Sequence, residues 1–224
     1  MRAEDAEQPS KTDLAFSILE LSQGLAMKIV IMRHGEPKFG LSDMLKKKCS
    51  ANELEAIIGV YVDSGLNSQK IPPPEALRVV KTCNAVACSD LPRSMESAAA
   101  LGVLNIDFTD PIFREADLPY ANWRYPKLTV FSWGIFFRVL WYLGYSNKAE
   151  SIASVEQRAE NAAIKLEQMA DEQGSVILIG HGIINRFVAK KLRHSGWRGP
   201  KNPGYNYWDY GIYEHVTTCK LCCP

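Results

Sequence analysis

At 224 residues, with 26 Lys and Arg against 25 Asp and Glu for a formal net charge of +1, the chain carries no global basic field that would draw nucleic acid. A chain of this length buries about 70% of its unfolded surface, enough for one domain with a real core. The six cysteines, at 49, 83, 88, 219, 222 and 223, form no regular framework, which favours reduced thiols and a cytoplasmic location over a disulfide scaffold.

In chain order, residues 1–26 are polar, acidic at Glu4, Asp5 and Glu7, and lack the basic region and apolar run of a signal peptide. They read as a peripheral extension ahead of a domain over 27–215, although Leu14, Phe16, Ile18, Leu19, Leu21 and Leu25 would permit a short docking helix. The apolar run 28–32 predicts a buried strand, and 41–59 reads as largely helical, with Lys46, Lys47 and Lys48 on a solvated face. Pro72, Pro73 and Pro74 make a rigid connection whose last proline can start a helix over 75–81. A strand at 85–88, a helix at 91–101 and a strand at 106–109 follow.

From 149 to 172, Ile152, Val155, Ala159, Ala162, Ala163, Leu166 and Met169 keep helical spacing and feed a strand at 175–179, after which 183–193 is helix-like. This alternation predicts an α/β fold, a three-layer sandwich with a mainly parallel central sheet flanked by helices. A helical, aromatic-rich insertion at about 120–148 breaks the pattern, and its interrupted apolar part is too short for the ~20 residues of a membrane span. It reads as a lid or a homodimer surface packed on the sheet, or else as a wall against an apolar or aromatic part of a substrate. The tail 216–224, ending Cys222-Cys223-Pro224, has Leu221 fourth from the end and so is no prenylation box; it supplies no metal-site spacing either.

The chemistry-bearing residues collect at strand ends, where ligands bind in open α/β sheets. Arg33-His34-Gly35 follows the first strand, and His181-Gly182 follows the strand at 175–179. Arg93 lies in Ser89–Ala98 after the strand at 85–88, and Glu115 lies in the segment after the strand at 106–109. Two arginines, two histidines and a carboxylate are costly to gather unless an anion neutralises the cations. His194 and His215 read as solvent-facing or structural, and Lys190, Lys191, Arg193, Arg198 and Lys201 as a solvated helix end.

Taken in order, these four segments resemble the motifs of the histidine phosphatase superfamily, also called phosphoglycerate mutase-like, over residues 27–215. The resemblance implies that neutral His34 attacks phosphorus and forms a phosphohistidine. It implies that Arg33, Arg93 and His181, with the Gly182 amide, hold the phosphoryl oxygens, and that Glu115 serves as proton donor and acceptor, with Asp117 as the alternative acid. Phosphoryl transfer is mainly positioning and charge stabilisation, so no metal and no cofactor is expected. Many relatives carry a small polar residue and then Asn shortly after the first motif; Glu36-Pro37-Lys38 stands here, and Lys38 could compensate as a phosphate-binding charge.

The expected activity is a metal-free phosphomonoesterase acting on a small phosphorylated substrate with an apolar or aromatic part. A phosphoglycerate-type mutase and a catalytically idle phosphate-binding interaction scaffold are the alternatives. The departures after the first motif and the insertion disfavour the mutase, and the intact five-residue set disfavours the scaffold.

Overall fold

A computed structural model describes residues 26–38 and 45–216. The chain runs β1 (Ala26–Arg33), β2 (Lys48–Cys49), α1 (Leu54–Val62), α2 (Pro74–Val80), β3 (Ala85–Cys88), α3 (Pro92–Ala100), β4 (Phe108–Thr109), a 3-10 turn (Pro111–Phe113), β5 (Leu128–Thr129), α4 (Val130–Tyr142), α5 (Ile152–Gln173), β6 (Ser175–Gly180), α6 (Gly182–His194) and β7 (Tyr210–Val216). The main sheet has the order β4-β3-β6-β1-β7, parallel throughout except for the β1/β7 pair.

Alternation along the strands builds the two buried layers. Ile29 and Ile31 of β1, with Val176 and Leu178 of β6, meet Val155, Ala159 and Leu166 of α5 and Ile184 and Val188 of α6 on one face. Val30 and Met32, with Ile177 and Ile179, meet Val79 and Val80 of α2 and Ala98 of α3 on the other. The four central residues of β1 and those of β6 are fully buried, each worth about 1.5–3 kcal/mol of transfer free energy relative to exposure. Such burial locks the register, because a one-residue slip would turn every side chain to the opposite layer. That register sets Arg33 opposite Gly180, so the carboxyl ends of β1 and β6 finish together.

Local signals place the helix ends. Pro74 and Pro92 begin α2 and α3, where a missing N–H costs nothing. Ser151 caps α5 by accepting from the Ser154 amide at 3.1 Å. Gly174 ends α5 at φ 77°, a conformation that favours glycine.

Several elements differ from the sequence expectation. The helix expected over 41–59 begins only at Leu54; residues 41–44 lie outside the described residues, and Lys48–Cys49 pairs antiparallel with Leu128–Thr129. Glu53 holds the preceding turn by accepting from the Ser50 amide at 2.8 Å and its hydroxyl at 2.6 Å. The strand expected at 106–109 shortens to Phe108–Thr109, because the Asp107 carboxylate, rather than a backbone carbonyl, accepts the Val86 amide at 2.7 Å. The antiparallel strand β7 had no counterpart in the sequence reading. The extension up to residue 25 and the tail from residue 217, including Cys219, Cys222 and Cys223, lie outside the described residues.

The aromatic segment forms a satellite core. Trp133 and Phe137 of α4 pack with Leu54 of α1, Cys49 and Ala51. Trp133 is 1% exposed and donates its indole N–H to the Cys49 carbonyl at 2.9 Å; Trp141 is fully buried and donates to the Glu150 carbonyl at 2.7 Å. Both tryptophans are therefore core residues. No helix of the described residues is long and apolar enough to cross a membrane. Lys190 and Lys191 of the basic helix end pair with Glu156 and Glu160 of α5 at 3.0 and 2.8 Å, as ordinary surface ion pairs do.

Candidate active site

The sheet edge assembles the site from backbone bonds first. The His34 amide continues the β1 ladder by donating to Gly180 O at 2.9 Å, and Arg33 is held on both sides by Asp209 O and the Trp208 amide at 2.9 and 3.1 Å. Ser97 of α3 accepts from the Gly35 amide at 2.9 Å and donates to Arg93 O at 2.6 Å, tying the first strand end to the start of α3. Ser94 donates to Ile179 O, and Asn185 of α6 donates to Met32 O at 2.9 Å. Gly35 is required by close approach: a Cβ there would lie 2.2 Å from the Trp208 ring.

On this frame the structure brings Arg33, His34, Arg93 and His181 together. His34 is 2% exposed and His181 fully buried, with ring centroids 4.9 Å apart at 62°. The hydrogen bonds of His34 define its tautomer. Gly35 O, which can only accept, lies 2.6 Å from Nδ1, and Arg93 Nε, which can only donate, lies 3.2 Å from Nε2. Nδ1 therefore carries the proton, and the lone pair is on Nε2.

Burial, reinforced by the Arg93 and Arg33 charges, pulls the His34 pKa down to about 3, while the bond to Gly35 O opposes it. Burial also lowers His181 well below the ordinary histidine value, with His34 and the arginines adding to the effect. Both rings are thus neutral at physiological pH.

The guanidinium groups are held by carbonyl oxygens and ring faces. Arg93 is 1% exposed, donates from Nη1 to Val62 O at 2.8 Å and Tyr61 O at 3.3 Å, and lies 5.0 Å over the Tyr61 ring. Arg33 donates to Tyr205 O and lies 4.4 Å over the Tyr207 ring. Among the described residues, both arginines pair with carbonyl oxygens and tyrosine faces, and neither forms an ion pair with a carboxylate. Neither nitrogen of the buried His181 ring has a hydrogen-bond partner there, nor does Arg33 Nε. One buried and one half-buried guanidinium beside two neutral imidazoles leave an excess of donors and positive charge, a composition suited to an oxyanion.

Glu115 reaches the same edge by an unexpected route. Its carboxylate accepts from the Ile183 and Ile184 amides at 2.9 and 3.0 Å, at the start of α6, and from its neighbour Ala116 at 3.0 Å. A Cβ at Gly182 would lie 3.6 Å from both Glu115 Oε2 and the Arg33 guanidinium, so acid, arginine and glycine adjoin. Lys38 is not brought in. It is exposed, its amide donates to Gly65 O at 2.7 Å, and among the described residues no hydrogen bond or ion pair joins its ammonium to the cluster.

Sequence reasoning missed Tyr61, Tyr207, Ser97 and Asn185. The tyrosines lie on α1 and in the loop before β7, remote in sequence from any motif. Ser97 and Asn185 lie inside segments singled out for their arginine and histidine, where one small polar residue carries little signal.

The fold is that of the histidine phosphatase, or phosphoglycerate mutase-like, proteins. The product of open reading frame Rv3214 of Mycobacterium tuberculosis superposes with a TM-score of 0.57 at 17% identity, over 85% of this chain and 95% of that one. YhfR of Bacillus stearothermophilus gives 0.55 at 20% identity, over 85% and 95%. Mycobacterial glucosyl-3-phosphoglycerate phosphatase Rv2419c gives 0.54 at 17%, over 86% and 98%. No protein-family model and no curated protein sequence matches the chain. At such identities the likeness establishes the architecture, and function has to be argued from the residues.

Proposed function

We propose that the protein is a metal-free phosphomonoesterase that works through a phosphohistidine on His34. The observation that carries this reading is a neutral, buried His34 whose unprotonated Nε2 faces Arg93 Nε at 3.2 Å, beside guanidiniums that form no ion pair with a carboxylate among the described residues.

In the first half-reaction the Nε2 lone pair forms a bond to phosphorus as the bond from phosphorus to the ester oxygen breaks. Glu115 gives the departing oxygen its proton, and the alcohol leaves. In the second, water attacks the phosphohistidine, Glu115 takes its proton, and inorganic phosphate and free His34 result. Arg33, Arg93 and His181 stabilise the equatorial oxygens in both halves, with donors already oriented by the carbonyls and rings described above.

Support for the role of Glu115 is that its carboxylate accepts from the Ile183 and Ile184 amides beside Gly182, whose α-carbon also faces the Arg33 guanidinium. Lys38 has no such support. Free thiols at Cys49, Cys83 and Cys88 fit the cytoplasmic setting expected from cysteine usage. The names of the structural neighbours agree in kind, since Rv2419c is described as a phosphatase.

The test is phosphate release from a panel of phosphate esters, with chelator present, by the protein and its His34→Ala variant. Release is expected to survive chelator and to fall at least about 10⁴-fold in the variant, as for removal of a nucleophile. Release by a folded variant at the unmodified rate would refute the phosphohistidine, and loss restored only by added metal would refute the metal-free chemistry.

A further inference from the structure

Beside the phosphate-binding edge, α1 and α4 enclose an open cavity of about 500 Å³, within the 300–1,000 Å³ usual for small-molecule sites. One wall is Ile57, Ile58 and Tyr61 of α1, and the other is a stripe of α4 that includes Phe131, Ile135 and Val139. Those last three are 54%, 51% and 52% exposed, although α4 turns Trp133, Phe137 and Trp141 into the core. The helix is therefore apolar on two faces: one is covered by the satellite core, and the other lines the cavity. A continuous half-exposed apolar stripe of this kind marks a binding surface.

Each wall of the cavity is tied to the catalytic edge by one residue. Tyr61 lines it, and the same residue accepts from Arg93 Nη1 through its carbonyl and lies under that guanidinium. Arg138 of α4 also lines it and donates to Ala116 O and Asp117 O at 3.1 and 3.2 Å, gripping the chain directly after Glu115. The arginine that holds phosphate and the acid that serves the leaving group thus each adjoin a cavity wall.

We propose that this cavity takes the alcohol part of the substrate, so that the preferred esters are phosphate monoesters of extended apolar alcohols. The proposal rests on the phosphomonoesterase reading and names its substrate class. An ester attacked in line by His34 Nε2, with the Arg93 Nε–H released to a phosphoryl oxygen, holds its leaving group opposite that nitrogen, on the side the mechanism gives to Glu115. From there the mainly apolar cavity shields an alkyl or prenyl chain, whereas a sugar or amino-acid alcohol would lose more water contacts than Tyr61, Arg138 and Tyr142 could replace.

Gly134 supplies the decisive variant. It lines the cavity in mid-helix, and a Cβ added there would meet nothing within 4 Å. Gly134→Phe therefore starts from an unobstructed Cβ and occupies the cavity, and replacing a mid-helix glycine does not weaken the helix. Ile135→Ser, at an exposed position of the same wall, is the second variant.

The experiment measures kcat/KM along the series from methyl to hexyl phosphate and, by titration calorimetry, the binding of methyl- and hexylphosphonate, which cannot be hydrolysed. In the unmodified protein kcat/KM is expected to rise about twofold to fourfold per methylene. Gly134→Phe should flatten that rise and lower hexyl phosphate turnover more than tenfold, leaving methyl phosphate within twofold, and Ile135→Ser should lower the rise partway. Equal turnover along the series would overturn the subsite while leaving the phosphatase intact. If no ester is turned over, the phosphatase reading fails, and the phosphonates decide the subsite separately: equal binding of both overturns it, and tighter hexylphosphonate binding lost in Gly134→Phe supports it. A dimer that dissociates in Gly134→Phe with the chain-length rise unchanged would assign the cavity to a second copy of the chain and overturn the proposal.

Discussion

The carboxyl edge of the main sheet and the α1–α4 wall lie side by side and are built in opposite ways. At the edge, Arg93, His34 and His181 are buried and Arg33 half-buried, on a frame of backbone carbonyls, tyrosine faces and clamps such as Ser97 and Asn185. At the wall, apolar side chains stay half exposed over a small aromatic core. The edge spends burial on groups that resist it, which makes sense only if an anion completes them. The wall leaves uncovered what would ordinarily be buried, which makes sense if an apolar group covers it. On the proposed function, chemistry and selectivity belong to different elements of one site.

Substitutions can break this division. Arg93→Ala is expected to lower kcat/KM about 10³-fold on every ester, a loss of about 4 kcal/mol of transition-state stabilisation, because the edge acts on phosphate irrespective of the alcohol. A loss confined to long-chain esters would join edge and wall into one device.

Trp133→Ala should act in the opposite sense, on stability more than chemistry. Emptying a fully packed site and orphaning the Cys49 carbonyl is expected to cost about 3–4 kcal/mol, read from urea denaturation. An unchanged midpoint would mean that the satellite core is not what holds α4.

The third expectation concerns pH. Folded His34 resists protonation down to about 3, whereas the unfolded side chain titrates near 6.5, so between these values the unfolded state binds the extra proton. Stability should therefore rise with pH across that window and be lost as pH falls, by about 1.4 kcal/mol per unit for each such histidine. His181 shifts in the same direction. Denaturation from pH 4.5 to 6.5 should show a slope shallower by about that amount in His34→Ala; identical slopes would show that His34 titrates normally in the fold.

The smallest effect is expected away from both regions. Lys190→Ala removes an exposed pair with Glu156 and should change stability by less than about 0.5 kcal/mol and leave turnover alone. A marked loss of turnover would give the basic helix end a part in anion capture that its geometry does not suggest.

Much of the edge was readable before any coordinates. The strand at 85–88 matches β3 residue for residue, and those at 28–32 and 175–179 fall inside β1 and β6 with His34 and His181 at their ends. The wall was readable only as an anomaly. A helix through the aromatic segment was expected, but Trp133 and Trp141, its most conspicuous residues, proved to be core, and the cavity face fell to Phe131, Ile135 and Val139. Composition alone does not distinguish two apolar faces of one helix, because the choice depends on what packs against each.

By itself the sequence determined the layered α/β architecture and the meeting of Arg33, His34, Arg93 and His181. Short apolar runs bury as parallel strands, and whatever follows each run must emerge at the same edge. Only the tertiary structure decided the antiparallel strand β7, the capping of α6 by Glu115, the tyrosines under both guanidiniums, the exposed position of Lys38 and the cavity between α1 and α4. Each of these depends on contacts between segments far apart in the chain, where no local periodicity or motif carries a signal and the packing of the whole selects the partner.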